Sequence, residues 1–276
     1  MSPRRRFTTR VRCTMRKYAH IASLPDREDS LGRTINSLYP YVDEIWAMLN
    51  NYDHIPSFPD PGNKIHYVSL KNEYGDAAKF LDFDKREGYV FICDDDLTYG
   101  HDYVPYMLSR YKYYGNRIIT IHGKVYARPV RTVHRGYVKN YHCLSDVRGD
   151  HEVDIGGTGV MLINTKDINI NISDFPYPNM ADIWLGKLAH EQGVKIMVVD
   201  HYSGIVVHSP PPTTIYHSLS SEANKYQVAV LNSFLVGAPM PTIDKSIPLS
   251  YNKKSPQAKK ISKLKYMRRR YGHKFR

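Results

Sequence analysis

Apolar positions in this chain fall into short compact runs, and between them apolar residues recur at helical spacing. The runs at 18–23, 44–49, 64–70, 89–93, 117–122, 160–164, 195–199 and 204–208 predict strands. Segments 27–38, 75–83, 102–114 and 180–192 predict helices, and 222–235 predicts a closing one. In the first of these, Leu31, Ile35 and Leu38 share one face, and Asp26 is the expected cap. Alternation of this kind predicts an α/β fold, a mostly parallel sheet flanked by helices. Residues 123–150 are polar, basic and aromatic without periodicity, which predicts a long functional loop or a disordered one. Pro56, Pro59 and Pro61 mark one further loop, and Pro210, Pro211 and Pro212 another.

Composition changes this picture little until the charge is located. The chain has 276 residues with 39 Lys and Arg against 27 Asp and Glu, a formal net charge of +12. Seven of the basic residues lie within 1–17 and eleven within 252–276, and neither stretch holds an acid. Removing those eighteen leaves 21 basic against 27 acidic residues, so the middle of the chain is acidic. The expected organisation is a basic arm at 1–16, one domain at 17–238 and a basic tail at 239–276, in which Ile261, Leu264 and Tyr271 are spaced as a weak amphipathic helix. Such arms suit a polyanion, either nucleic acid or an anionic membrane surface, or act as solvated tails. No apolar run approaches the roughly 18–20 residues of a membrane span. The basic start lacks an apolar core, so no secretory signal is read. Cys13, Cys93 and Cys143 are scattered, which fits a reducing compartment, predicts no disulfide framework or zinc site, and makes a cytoplasmic location the expectation.

The sharpest chemical signal is Asp94-Asp95-Asp96, directly after the apolar run 89–93. Adjacent carboxylates near an interior repel one another and resist desolvation, so they require a cation or protonation. The C-terminal edge of an open α/β sheet is where ligands bind, and oxygen donors suit Mg²⁺ or Mn²⁺. A solvated acidic turn is the plainer alternative. Gly156-Gly157-Thr158-Gly159 lets backbone approach a ligand closely, but it is not the GxGxxG of a dinucleotide site.

These motifs resemble those of family 2-like GT-A glycosyltransferases. Ser23-Leu24-Pro25-Asp26-Arg27, followed by Leu31, Thr34-Ile35 and Ser37-Leu38, is similar to the family's opening. Asp94-Asp95-Asp96 resembles its DXD motif, and Gly75-Asp76-Ala77-Ala78-Lys79 the segment along the donor diphosphate. Asn179-Met180-Ala181-Asp182-Ile183-Trp184 resembles the acidic motif that supplies the base in inverting members. The likeness spans about 18–208. It implies a GT-A nucleotide-sugar-binding fold, Mn²⁺ or Mg²⁺, and a nucleotide-sugar donor, a UDP-sugar foremost. By the same likeness, Asp94, Asp96 and His208 hold the metal, and Asp94 and Asp95 also meet the donor. Ser23, Pro25, Arg27, Asn50, Asn51, Asp76 and Lys79 line the donor side, and Asp182 is the general base. Gly157, Thr158, Gly159 and Trp184 fall on the acceptor side. Two departures stand out: Asn at 50 and 51 replaces a more usual acidic residue, and Ala-Asp replaces Glu-Asp at 181–182. A structural histidine is the alternative for His208, a solvated lysine for Lys79, and a dipole-favoured helix-start aspartate for Asp182.

Two acceptors fit this reading. One is a hydroxymethylated pyrimidine in DNA, of the kind modified by phage-type DNA glycosyltransferases. Arg128 and Arg131, interleaved with Tyr126, His134, Arg135, Tyr137 and Tyr141, suit phosphates and a displaced base. The other is a glycan or glycolipid, with the arms on membrane. A nucleic-acid-binding protein on a degenerate transferase domain, and a metal phosphotransferase or hydrolase, are the rivals from other classes.

Overall fold

The computed structural model describes residues 15–133, 135–209 and 221–240. In chain order the strands are β1 (Arg16–Ser23), β2 (Glu44–Asn50), β3 (Ile65–Leu70), β4 (Gly88–Asp94), β5 (Leu97–Tyr99), β6 (Arg117–Thr120), β7 (Gly123–Tyr126), β8 (Tyr137–Tyr141), β9 (His151–Val153), β10 (Ile155–Gly156), β11 (Val160–Asn164), β12 (Lys195–Val198) and β13 (Val206–His208). The helices are α1 (Glu28–Leu38), α2 (Tyr103–Tyr114), α3 (Ala181–Glu191) and α4 (Ser221–Leu235). Much of the arms at 1–16 and 239–276, the spacing of Ile261, Leu264 and Tyr271, and His134 lie outside the described residues. Among these residues no helix is long and apolar enough to cross a membrane.

Eight strands form the central sheet in the order β3-β2-β1-β4-β11-β6-β12-β9. Strands β1 to β4 are mutually parallel, and β6 pairs parallel with β12. Strand β11 runs antiparallel between β4 and β6. Side chains alternate between the faces, as strand geometry demands. From β4, Phe91 and Cys93 join the core under α1 and α2, while Val90 and Ile92 join the core under α3 and α4. Strand β11 divides likewise, Leu162 to one side and Met161 and Ile163 to the other. Burial on both faces is why these strands read as unbroken apolar runs.

Topology decides where the site forms. The parallel strands β1, β2 and β4 end on one edge, and β11, running the other way, begins there. That edge therefore collects Ser23, Asn50 and Asp94 together with Gly157, Thr158 and Gly159.

Three local expectations are corrected. Asp26 does not cap α1, because Pro25 starts a 3₁₀ turn over Pro25–Arg27 and Arg27 takes the cap position without a side-chain cap bond. The segment 75–83 is a 3₁₀ turn, Gly75–Phe80, rather than an α-helix, and left-handed backbone brackets it at Gly75 and Asp82. Residues 123–150 are not simply loop: β7 and β8 pair antiparallel, and β10 completes a three-stranded sheet. Strand β8 is short and largely exposed, so it carries no apolar alternation to read. The segment between β7 and β8 is tied to α4, where the Asn232 side chain both accepts from Val130 N–H (2.8 Å) and donates to its carbonyl (2.9 Å).

Leu162 is fully buried at the centre of the sheet. Leu162→Ala should lower unfolding stability by about 2–5 kcal/mol, checked by urea denaturation.

Candidate active site

Part of that edge, Asp94 with Gly157, Thr158 and Gly159, lines a cleft of about 680 Å³; Ser23 and Asn50 do not. Its walls hold Arg27, Asp76, Lys79, Asp94, Asp96, Gly157, Thr158, Gly159, Asp182 and His208, ten of the residues singled out from the sequence. Each reaches the cleft for a local reason.

The three aspartates separate as the chain leaves β4. Asp95 turns inward and is 2% exposed, and Arg27 Nη1 donates to its Oδ1 at 2.9 Å. Asp94 and Asp96 stay on the cleft. Strand β13 pairs with β5, His208 opposite Leu97, which brings His208 Nε2 to 3.5 Å from Asp96 Oδ2. Burial, together with the charges of Asp94 and Asp95, pushes the Asp96 carboxyl up to about 6. Arg27 answers part of this charge from 4.0 Å. A donor set of two carboxylates and an imidazole suits Mn²⁺ or Mg²⁺ better than a soft ion, and a cation there would reverse the repulsion that raises Asp96.

Lys79 is almost wholly buried. Its Nζ donates to Asp94 Oδ1 at 2.5 Å and to the Thr158 carbonyl at 3.2 Å. Burial would depress the ammonium, but Asp94 and Asp76 outweigh it and the net shift is upward. His20, buried on β1, fixes the Lys79 backbone by donating Nδ1–H to its carbonyl at 2.9 Å. Asp76 sits below, where its Oδ2 accepts the Ala181 N–H at the start of α3 (3.2 Å).

Asp182 lies in the first turn of α3. Its Oδ1 accepts from both the backbone N–H and the hydroxyl of Thr158, at 2.8 and 2.7 Å. Gly159 is tied to the aspartates through Tyr99, whose hydroxyl donates to the Gly159 carbonyl (2.5 Å) and accepts the Asp94 N–H (2.9 Å). A side chain at Gly159 would overlap the Asp94 carboxylate.

The other expected residues are placed differently. Ser23 meets the Tyr52 hydroxyl at 3.0 Å, and Pro25 opens the 3₁₀ turn that carries Arg27. Asn50 is buried and donates to the Gly75 carbonyl at 3.3 Å, while Asn51 adopts left-handed backbone at φ 59°. Trp184 is not on the cleft: it packs in the core and donates Nε1–H to the Tyr177 carbonyl. Arg128 is exposed and ion-paired with Asp154 at 2.6 Å, and Arg131 is exposed; neither lines the cleft. Two basic residues counted with the N-terminal stretch are also engaged, Arg16 with Glu44 and Lys17 with Asp43.

Sequence reasoning missed His122, Lys124, His142 and Cys143, which all line the cleft. They come from the stretch read as loop and the turn before it. Only their residue types, scattered among aromatics, hinted at a role.

No protein-family model matches the chain, and no curated protein matches it in sequence. Solved structures do resemble it. GalNAc-T7, crystallised with UDP, GalNAc and Mn²⁺, aligns with a TM-score of 0.50 at 10% identity, over 95% of this chain and 55% of that one. The fold is GT-A. This chain spans about half the length of GalNAc-T7. A mycobacterial protein aligns at a TM-score of 0.49 and 16% identity, over 82% of this chain and 76% of its own. Glucosyl-3-phosphoglycerate synthase from Mycobacterium tuberculosis aligns at 0.47 and 14% identity, over 82% and 81%.

Burial pushes the Asp76 carboxyl up to about 6; Lys79 opposes this and Asp182 adds to it. A folded-state value above the unfolded one means that the contribution to stability is present at low pH and lost as pH rises through about 6. Asp76→Asn cannot ionise. Relative to the parent, its stability should therefore improve by on the order of 2–3 kcal/mol between about pH 4 and pH 7, measured by urea denaturation of metal-free protein.

Proposed function

We propose that this chain is a metal-dependent glycosyltransferase that moves a sugar from a nucleoside diphosphate sugar, a UDP-sugar foremost, to a hydroxyl acceptor with inversion. The observation that carries this reading is one cleft holding Asp94, Asp96 and His208 beside Asp182. Asp94, Asp96 and His208 would hold Mn²⁺ or Mg²⁺, which when bound neutralises charge on the departing diphosphate. Lys79 adds a buried positive charge on the donor side, and Arg27 keeps Asp95 and the turn after β4 in place.

Asp182 serves as the general base. Thr158 engages its Oδ1 twice, which fixes the carboxylate and leaves Oδ2 for the acceptor hydroxyl. As that oxygen bonds to the anomeric carbon, its proton passes to Asp182 and the bond from carbon to the diphosphate oxygen breaks. One in-line displacement inverts the anomeric centre. The rival reading as a binding protein on a degenerate domain leaves this assembly without a use.

For the acceptor we propose a polyanion, 5-hydroxymethylpyrimidine DNA in particular, with a glycan or glycolipid as the alternative. Support comes from the eighteen Lys and Arg in the two terminal stretches, with Arg16 and Lys17 discounted because acids pair them.

The test offers nucleotide-sugars with Mn²⁺ and follows nucleoside diphosphate release and acceptor mass. Hydroxymethylated DNA should gain one sugar and unmodified DNA none; labelling of glycans alone would move the acceptor to the other class. No turnover with any donor would remove the transferase reading. Asp94→Ala and Asp96→Ala should each cut Mn²⁺-dependent turnover by at least about a hundredfold, from the loss of charge stabilisation. Asp182→Asn should slow transfer by about 10²–10⁴ while donor binding by calorimetry stays within a few-fold. Gly159→Ala should weaken Mn²⁺ binding by displacing Asp94, read by the same calorimetry.

A further inference from the structure

The fold assembles a second donor cluster that its sequence separation conceals. His122 follows β6, whereas His142 and Cys143 follow β8. One ring nitrogen from each histidine and the Cys143 sulfur lie within 4.8 Å of one another. The imidazoles meet edge to face, with centroids 5.0 Å apart and planes at 67°, so they do not stack across the gap.

Each ligand is held from behind. The His122 backbone accepts from Gly157 N–H at 2.8 Å, and its own N–H donates to Thr120 Oγ1 at 3.2 Å. A side chain at Gly157 would come within 2.9 Å of the His122 Cβ, so the glycine makes room for the ring. Among the described residues the His122 ring makes no hydrogen bond. His142 accepts the Leu144 N–H on Nδ1 at 3.2 Å, which leaves Nε2 free. Cys143 is a free thiol, buried to 8% exposure.

We propose that His122, His142 and Cys143 form a site for a borderline-soft divalent ion such as Zn²⁺, open to the cleft at its fourth position. Imidazole and thiolate are both donors that Zn²⁺ accepts, and three protein ligands leave one position of its tetrahedron open. This set differs in kind from the oxygen-rich set of Asp94, Asp96 and His208, so the two sites select different metals. A sulfur–metal bond forms as the thiol proton leaves to solvent, and nothing is oxidised or reduced. Asp94 and Asp96 supply nearby negative charge, which offsets Lys124 at the same wall. Burial, the leading effect, holds His122 neutral with its value lowered to about 3. Burial likewise raises the Cys143 thiol to about 12. The bound ion would join the turn after β6 to the loop after β8.

Co²⁺ titrated into the full-length, metal-free protein reads the site without any donor turnover. The expected result is a thiolate-to-cobalt charge-transfer band that saturates at one ion and is abolished by added Zn²⁺. Cys143→Ser should lose the band, and His142→Ala, at an exposed position, should weaken Co²⁺ affinity at least about tenfold. Asp96→Ala should keep the band, since the oxygen-rich set contributes no thiolate. Absence of the band at saturating Co²⁺ overturns the site, as does its survival in Cys143→Ser or its loss in Asp96→Ala. If Cys143→Ser does not fold, an unchanged affinity in His142→Ala overturns it instead.

Discussion

Repulsion among Asp94, Asp95 and Asp96 is the constraint around which this molecule is organised. Three carboxylates at the end of a largely buried strand would be costly if all stayed ionised and unpartnered. The fold answers with two buried cations from different elements, Arg27 on Asp95 and Lys79 on Asp94. Asp96 is met only by Arg27 at 4.0 Å and His208 at 3.5 Å, and its carboxyl is pushed up to about 6, while burial raises that of Asp95 as well despite Arg27. Residual repulsion of this kind is what makes a site favourable for a divalent cation.

The counter-charges explain why so much of the surrounding structure is polar yet buried. Holding Lys79 in place takes His20 on its backbone and the Thr158 carbonyl on its ammonium. Thr158 in turn fixes Asp182, and Tyr99 joins Gly159 to Asp94. The donor-side and base-side motifs therefore form one hydrogen-bonded network across the sheet edge. In the proposed reaction that connectivity sets the distance between leaving group and base, and positioning of this kind is a large part of catalysis.

A second consequence concerns β11. Because it runs against its neighbours, its N-terminal glycines arrive where the parallel strands end, so Gly157 and Gly159 can pack directly on His122 and Asp94. The same reversal lets one cleft carry oxygen donors on one wall and imidazole and thiol on another.

Much of this was legible in the residues. Strands buried on both faces must be continuous apolar runs, so β1, β2, β4, β11 and β12 could be read directly, as could α1, α2 and α3 from their spacing. The acidic triplet at the end of β4 located the site, because charge placed directly after a buried strand has few tolerable surroundings. Distance in space is what local pattern does not encode. That Asp95 turns inward to Arg27, that Trp184 belongs to the core rather than the cleft, and that β7, β8 and β10 form a sheet all depend on partners far along the chain. His208 beside Asp96, and Cys143 beside His122 and His142, meet only because β13 pairs with β5 and because the turn after β6 faces the loop after β8. Sequence determined which chemistry was available; tertiary pairing decided which groups share a cleft, since charge and metal affinity depend on separations of a few ångströms.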